Sequence, residues 1–277
     1  MNNIDQATID GFGDEWTRFD QNQLSEKDLL TLFNKYFAIF PWNKIKNNSV
    51  GFDLGCGSGR WSKLVAPRVG TLYCIDPSSA IQVAQKNLTN VENCRFLRAS
   101  VDCIPLPDGS MDFGYSLGVL HHIPDTRSGL AECVKKLKPG APFLLYLYYN
   151  FDNRPTWYRW LWRASEMIRF VVSRQTFWVR YFLSQLIAVL IYLPLSRFAK
   201  IFEFLGCNVD NFPLSAYRRR ELYVIRTDAL DRFGTRLEKR FSKSEIKKMM
   251  EFAGLERIVF SNSDPFWCAV GFSKTKV

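Results

Sequence analysis

The run Asp53-Leu54-Gly55-Cys56-Gly57-Ser58-Gly59 follows the apolar residues Val50-Gly51-Phe52 and sets an acidic residue ahead of three glycines at every second position. Glycine is needed where a chain turns sharply from strand to helix, and where any Cβ would hold the backbone away from a ligand lying across the helix N-terminus. A dinucleotide fingerprint would require another glycine at position 60, which is Arg60. Asp53 would repel a pyrophosphate, yet it suits the cationic amino group of an amino-acid-like cofactor. Both points favour S-adenosylmethionine over NAD. A second apolar run, Thr71-Leu72-Tyr73-Cys74-Ile75, ends in Asp76, and a carboxylate at a second strand end can accept ribose hydroxyls.

Three motifs in order extend this reading: Asp53 to Gly59, then Ile104-Pro105-Leu106-Pro107-Asp108-Gly109-Ser110-Met111-Asp112, then Val119-Leu120-His121-His122. With them the chain resembles the class I S-adenosylmethionine-dependent methyltransferases, in particular the small-molecule, type 11-like subgroup. The resemblance spans residues 50–149 and, more weakly, 241–273. It implies S-adenosylmethionine as cofactor, bound by Asp53, Gly55, Cys56, Gly57 and Gly59 of the loop and by Asp76 and Pro77 at the second strand end. It extends that site to Leu117 and to the stretch after the third strand. There the subgroup usually offers an acidic and a small residue, whereas this chain has Ser100-Val101-Asp102; the Val101 N–H would meet the adenine ring, and Ser100 or Asp102 its amino group.

Methyl transfer from a sulfonium is an in-line displacement, so the protein has to hold the acceptor, exclude water and remove a proton where one must leave. The acceptor belongs beyond the C-terminal ends of the fourth and fifth strands. His121 and His122 stand on one side there, and Tyr148, Tyr149 and Asp152 on the other. The chain has only these two histidines, and histidine is the side chain best poised to take a proton near neutral pH. His121 or His122 is the candidate base, with Tyr149 as a candidate for orienting an acceptor hydroxyl. The alternative is that the histidines only shape the cofactor pocket and the tyrosine only packs. No Asp/Asn-Pro-Pro-aromatic motif follows the fourth strand, which disfavours adenine or glutamine N-methylation.

The elements that must position these residues alternate in type, which argues for a parallel sheet covered by helices on both faces. Expected strands are 50–54, 71–75, 94–99, 111–117 and 142–149, with helices at 60–67, 78–87 and 125–137. A helix at 242–253 and strands at 255–260 and 266–272 would close the sheet, with the last strand antiparallel as the resemblance implies. The fold class is thus α/β: a Rossmann-like seven-stranded methyltransferase sheet with an N-terminal helical extension and a helical insertion after the fifth strand. Domain limits fall at 1–48 (helical flap), 49–150 (cofactor-binding core), 151–232 (aromatic and basic insertion) and 233–277 (closing elements). Within the flap, the glycine-hinged segment from Gly11 to Phe19 carries Phe12, Trp16 and Phe19. It reads as a cofactor lid in which Trp16 faces the sulfonium.

The insertion interleaves aromatics with arginines. Trp157, Trp160, Leu161, Ala164, Ile168 and Val171 form one apolar stripe on a helix. The expectation is a substrate lid that buries this stripe on the sheet edge; the alternative is a membrane-surface element. The uncharged run Tyr181 to Ser196 is shorter than the roughly 20 residues of a spanning helix, so a transmembrane helix is not expected. The net charge of +10 and seven cysteines without metal-ligand spacing fit a cytoplasmic protein with reduced thiols and no bound metal, either free of membranes or peripheral to one. The aromatics recur at helical spacings, which disfavours nucleic acid as a partner. The reading is methyl transfer to a small-molecule or lipid-like acceptor, with an RNA or protein methyltransferase, or a noncatalytic S-adenosylmethionine-binding module, as the alternatives.

Overall fold

The computed structural model describes residues 3–18 and 25–275. Phe19, expected in the lid, lies outside the described residues. In chain order the elements are α1 (Gln6–Arg18), α2 (Glu26–Tyr36), β1 (Val50–Leu54), α3 (Ser62–Val65), β2 (Thr71–Ile75), α4 (Ala80–Asn87), β3 (Cys94–Leu97), β4 (Phe113–Leu117), α5 (Thr126–Lys135) and β5 (Pro142–Tyr146). There follow α6 (Thr156–Val172), α7 (Phe177–Ile187), α8 (Leu193–Phe204), α9 (Leu222–Gly234), α10 (Lys243–Phe252), β6 (Leu255–Phe260) and β7 (Cys268–Ser273). The strands form one seven-stranded sheet in the order β3-β2-β1-β4-β5-β7-β6. β7 runs antiparallel to β5 and β6, and the other pairings are parallel.

β1, β2 and β4 are apolar almost throughout, as strands covered on both faces must be. The order of the strands puts the ends of β1 and β4 side by side at the centre, where ligand crevices open in such sheets. Phe52, Phe143 and Leu145 point into one core layer, with Leu120 and Leu130. Leu72, Cys74, Phe113 and Tyr115 point into the other, with Phe33 and Phe37 of the N-terminal region. At the β1–β4 seam the register pairs Gly51 with Phe113 and Phe52 with Gly114. A Cβ at Gly51 would stand 2.2 Å from the Phe113 ring, and one at Gly114 2.4 Å from Phe52, so each ring lies over its partner's glycine. Ser25 caps α2 by accepting from Asp28 N, and Ser242 with Glu245 forms a capping box on α10.

Two compact units emerge: residues 1–150 with 237–277, and residues 151–236. The N-terminal residues cluster with the sheet, and the insertion runs on to residue 236. Its own small core comprises Val172, Ala188, Tyr192, Ile225, Ala229 and Phe233. The stripe expected to be buried is not: Trp157, Trp160, Leu161, Ala164, Ile168 and Val171 are exposed. The opposite face of α6 points inward because it carries the Glu166 ion pairs with Arg169 and Arg232. The second departure is length. α7, a π-helical stretch at Ala188–Tyr192 and α8 form one continuous helix of 28 residues, Phe177–Phe204, long and apolar enough to cross a membrane by length and composition. The uncharged run understates it because helical hydrogen bonding carries on through Arg197 and Lys200.

Candidate functional site

The loop after β1 holds Gly55, Gly57 and Gly59 at φ of 75°, 53° and 80°, a left-handed conformation that costs other residues energy. Gly55 N and Cys56 N both donate to Ile75 O, at 2.7 and 3.1 Å, which ties the loop to the end of β2. Gly57 N donates to Asp76 Oδ2 at 3.0 Å. Asp76 Oδ1 accepts from Ser78 N at 2.9 Å and from Ser78 Oγ at 2.6 Å. Oδ1 therefore has both acceptor directions in use, while Oδ2 keeps one. One ribose hydroxyl fits there directly; a second requires the Ser78 hydroxyl to turn away.

Asp53 lies beneath the loop, buried, accepting from Ser62 Oγ at 2.6 Å. Burial pushes its carboxyl up to about 7, and the nearby Asp76 charge adds to this, while the Ser62 and Tyr115 hydroxyls and Arg60 pull the other way. Its partner in the protein is a hydroxyl and not a cation, so its charge, when ionised, is available through its field to a cationic group bound above the loop. The Cys56 thiol is opposed by Cys74, yet burial with the charges of Asp76 and Asp53 holds it at about 11, which suits a small packing residue rather than a nucleophile.

α1 is a continuous helix rather than a glycine-hinged segment. Gly13 serves close approach: a Cβ there would stand 2.5 Å from Ser79 Oγ. The helix lies over the strand ends. A Cβ at Gly57 would come 3.3 Å from the Trp16 indole, whose ring also faces the Arg60 guanidinium at 5.6 Å. One turn earlier, Phe12 meets the His122 ring edge-on at 4.8 Å. Before the helix, Asn3 N donates to Asp102 Oδ2 at 2.5 Å, and the Asn3 side chain exchanges hydrogen bonds with Asp125 O and Asp125 N.

His121 is fully buried, its ring 3.9 Å from those of both His122 and Tyr148. Neither of its nitrogens has a hydrogen-bond partner among the described residues. Burial first, then His122 and Arg240, hold its pKa well below 6.5, so the ring is neutral at neutral pH. His122 Nδ1 donates to Leu237 O at 2.7 Å, which leaves Nε2 as its basic nitrogen. Arg240 closes the cluster: its Nε meets Glu238 Oε1 at 2.8 Å and its guanidinium lies 5.0 Å from the Tyr148 ring centre. Tyr149 lies apart from the histidine stack. Its ring packs on Phe266 and Trp267, and its backbone bridges to Phe241.

Residues 52–145 match the family model described as a methyltransferase domain. The methyltransferase YcgJ of Bacillus subtilis is 30% identical over 100 residues, 35% of this chain and 40% of the relative. Trans-aconitate 2-methyltransferase of Deinococcus radiodurans is 31% identical over 103 residues, 36% of this chain and 38% of that enzyme. The chain thus spans about two fifths of the length of these relatives. Its fold is that of a chain in the complex between the Haloferax volcanii Trm112 methyltransferase activator and a methyltransferase, with a TM-score of 0.56 and 16% identity over 96% of this chain and 99% of that one. This chain carries a class I S-adenosylmethionine-dependent methyltransferase domain.

The residues of the methyltransferase domain fit that cofactor. The loop backbone under Trp16 tolerates no Cβ, Asp76 keeps an acceptor direction for a hydroxyl, and the indole face and the Asp53 charge both favour a cation. Of the remaining expected contacts, Leu117 ends β4 and Pro77 follows β2, its carbonyl accepting from Arg98. Ser100 begins the short turn of Val101 and Asp102; the Val101 side chain is buried in the core, and Asp102 is engaged by Asn3. Asn3, Ser62, Tyr115, Glu238 and Arg240 escaped the sequence reading. Only Ser62 left a signal, since a carboxylate in a strand buried on both faces must find a donor within the protein.

Proposed function

We propose that this chain transfers a methyl group from S-adenosylmethionine to a small-molecule or lipid-like acceptor at the ends of β4 and β5. The cofactor supplies a methyl group activated on a sulfonium. The glycine loop and Asp76 hold its nucleoside end, and Trp16 screens the loop from water. His122, through Nε2, takes up a proton from the acceptor, while the buried, neutral His121 and Tyr148 pack against its ring and fix it. Tyr149 packs on Phe266 and Trp267, apart from these rings. The observation that carries this reading is the placement of Trp16 over Gly57 and Phe12 on His122, one helical turn apart on α1, or about 6 Å of rise. A single helix therefore covers the cofactor loop and the proton acceptor together.

Incubation of the full chain with methyl-labelled S-adenosylmethionine and separate pools of small metabolites, extracted lipids, RNA and protein tests this. Label is expected in a metabolite or lipid fraction. Label confined to RNA or protein would favour the runner-up enzyme class, and cofactor binding with no labelled product in any pool would make the chain a binding module.

A further inference from the structure

The unit spanning residues 151–236 has a small apolar core and, unusually, an apolar outer face. The inward face of α6 carries Glu166, which pairs with Arg169 at 2.9 Å and with Arg232 of α9, while Arg169 also donates to Thr235 O at 3.0 Å. Its outward face carries the apolar stripe, with Trp160 64% exposed. The long helix of α7 and α8 repeats the arrangement. Small or polar residues, Ser184, Ala188, Ser196 and Ala199, are buried, while Phe182 is 62%, Leu190 67% and Phe204 90% exposed. Only 28% of its most apolar stretch is buried. Exposed apolar area on this scale is far beyond what scattered surface hydrophobics produce and marks a docking surface.

Charge identifies the occupant. Residues 151–236 hold fourteen Arg and Lys against seven Asp and Glu, which accounts for +7 of the chain's +10. On α6, Arg159 and Arg163 flank the apolar stripe, with Arg163 5.2 Å from the Trp160 ring centre, and Arg174 in the turn after the helix lies 3.4 Å from the ring centre of Phe170. An apolar stripe with Trp and flanking arginines matches the chemistry of a bilayer interface: acyl chains for the stripe, anionic headgroups for the guanidinium groups. Immersion of the whole unit is opposed by Arg219, just before α9, whose side chain is 73% exposed and would face hydrocarbon even while paired with Glu203. Such charged groups do not face hydrocarbon.

We infer that the 151–236 unit docks in one leaflet of an anionic phospholipid bilayer, with α6 and the exposed face of the long helix lying along the interface. The inference is independent of the methyl-transfer reading. Flotation of the full chain with vesicles of neutral phosphatidylcholine, and of phosphatidylcholine mixed equally with phosphatidylglycerol, tests it, read together with tryptophan quenching by brominated acyl chains. The expected result is flotation with the anionic vesicles at about 0.15 M salt, with tryptophan quenched. Changing Arg159→Glu and Arg163→Glu together should lower partitioning by about tenfold or more. Changing the exposed Trp160→Ser and Ile168→Ser should weaken partitioning and quenching, with an unchanged circular dichroism spectrum reporting an intact fold. A full chain that stays unfloated with both vesicles overturns the inference, and sedimentation would then show whether a second copy covers the face. Flotation without quenching would also overturn it, since the contact would be electrostatic only.

Discussion

Asp53→Asn separates the cost of a buried carboxylate from its use. Asp53 is buried and its carboxyl is pushed from an ordinary 3.8 to about 7. For an acid whose pKa rises on folding, the native state binds more protons than the unfolded one between those two values, so stability falls as pH rises through that window. At 1.36 kcal/mol per unit the loss amounts to about 4 kcal/mol and is complete above about pH 7. Asparagine keeps the shape and a partner for Ser62 Oγ, 2.6 Å away, but carries no charge to desolvate. Thermal or urea unfolding of wild type and variant without cofactor, followed from pH 4.5 to 8.5, should show the variant gaining on wild type as pH rises, by up to about 3 kcal/mol, since part of the window lies below pH 4.5. Calorimetric titration should show the reverse for S-adenosylmethionine, with affinity reduced about tenfold or more because a nearby opposite charge is lost. A variant whose stability difference does not change with pH, or which binds the cofactor as wild type does, would refute the reasoning.

His121 titrates with the opposite sign: its pKa is held well below 6.5, so wild type should lose stability relative to His121→Phe as pH falls below about 6.5, which acid unfolding of the pair measures. Trp16→Ala removes the indole over Gly57 and should weaken cofactor binding by about 1–2 kcal/mol while leaving the melting temperature of the sheet unit within a few degrees; fluorescence titration and calorimetry check both. Asp76→Ala deletes the acceptor for Gly57 N and for a ribose hydroxyl, at a cost of about 2–3 kcal/mol in cofactor affinity.

The sheet was legible because its strands are short apolar runs bounded by turn residues, such as Gly55 after β1, Asp76 after β2 and Pro139-Gly140 before β5, and local turn chemistry decides such boundaries. The cofactor loop was legible for the same reason: three glycines at alternate positions state a backbone requirement directly. α1 was not, since Gly11 and Gly13 read as a hinge, and only tertiary contact shows Gly13 pressed against Ser79. The polar cluster of Glu238, Arg240, Tyr148 and His121 joins residues more than a hundred positions apart, a proximity no local pattern encodes. The α6 stripe was visible as amphipathic, but periodicity reports only that two faces differ. It does not say which one meets the protein, and the Glu166, Arg169 and Arg232 pairs decide that.

The most direct test of the central claim, that the glycine loop, Asp76 and Trp16 hold S-adenosylmethionine, is equilibrium dialysis of the labelled cofactor against the full chain and against Gly57→Val. Gly57 stands at φ 53°, with Trp16 3.3 Å from where a Cβ would sit; valine there is strained and pushes the indole outward. Saturable binding at one site per chain, abolished in the variant while its circular dichroism remains that of wild type, is the predicted result. No saturable binding by the wild type, or equal binding by a folded Gly57→Val, would contradict the account.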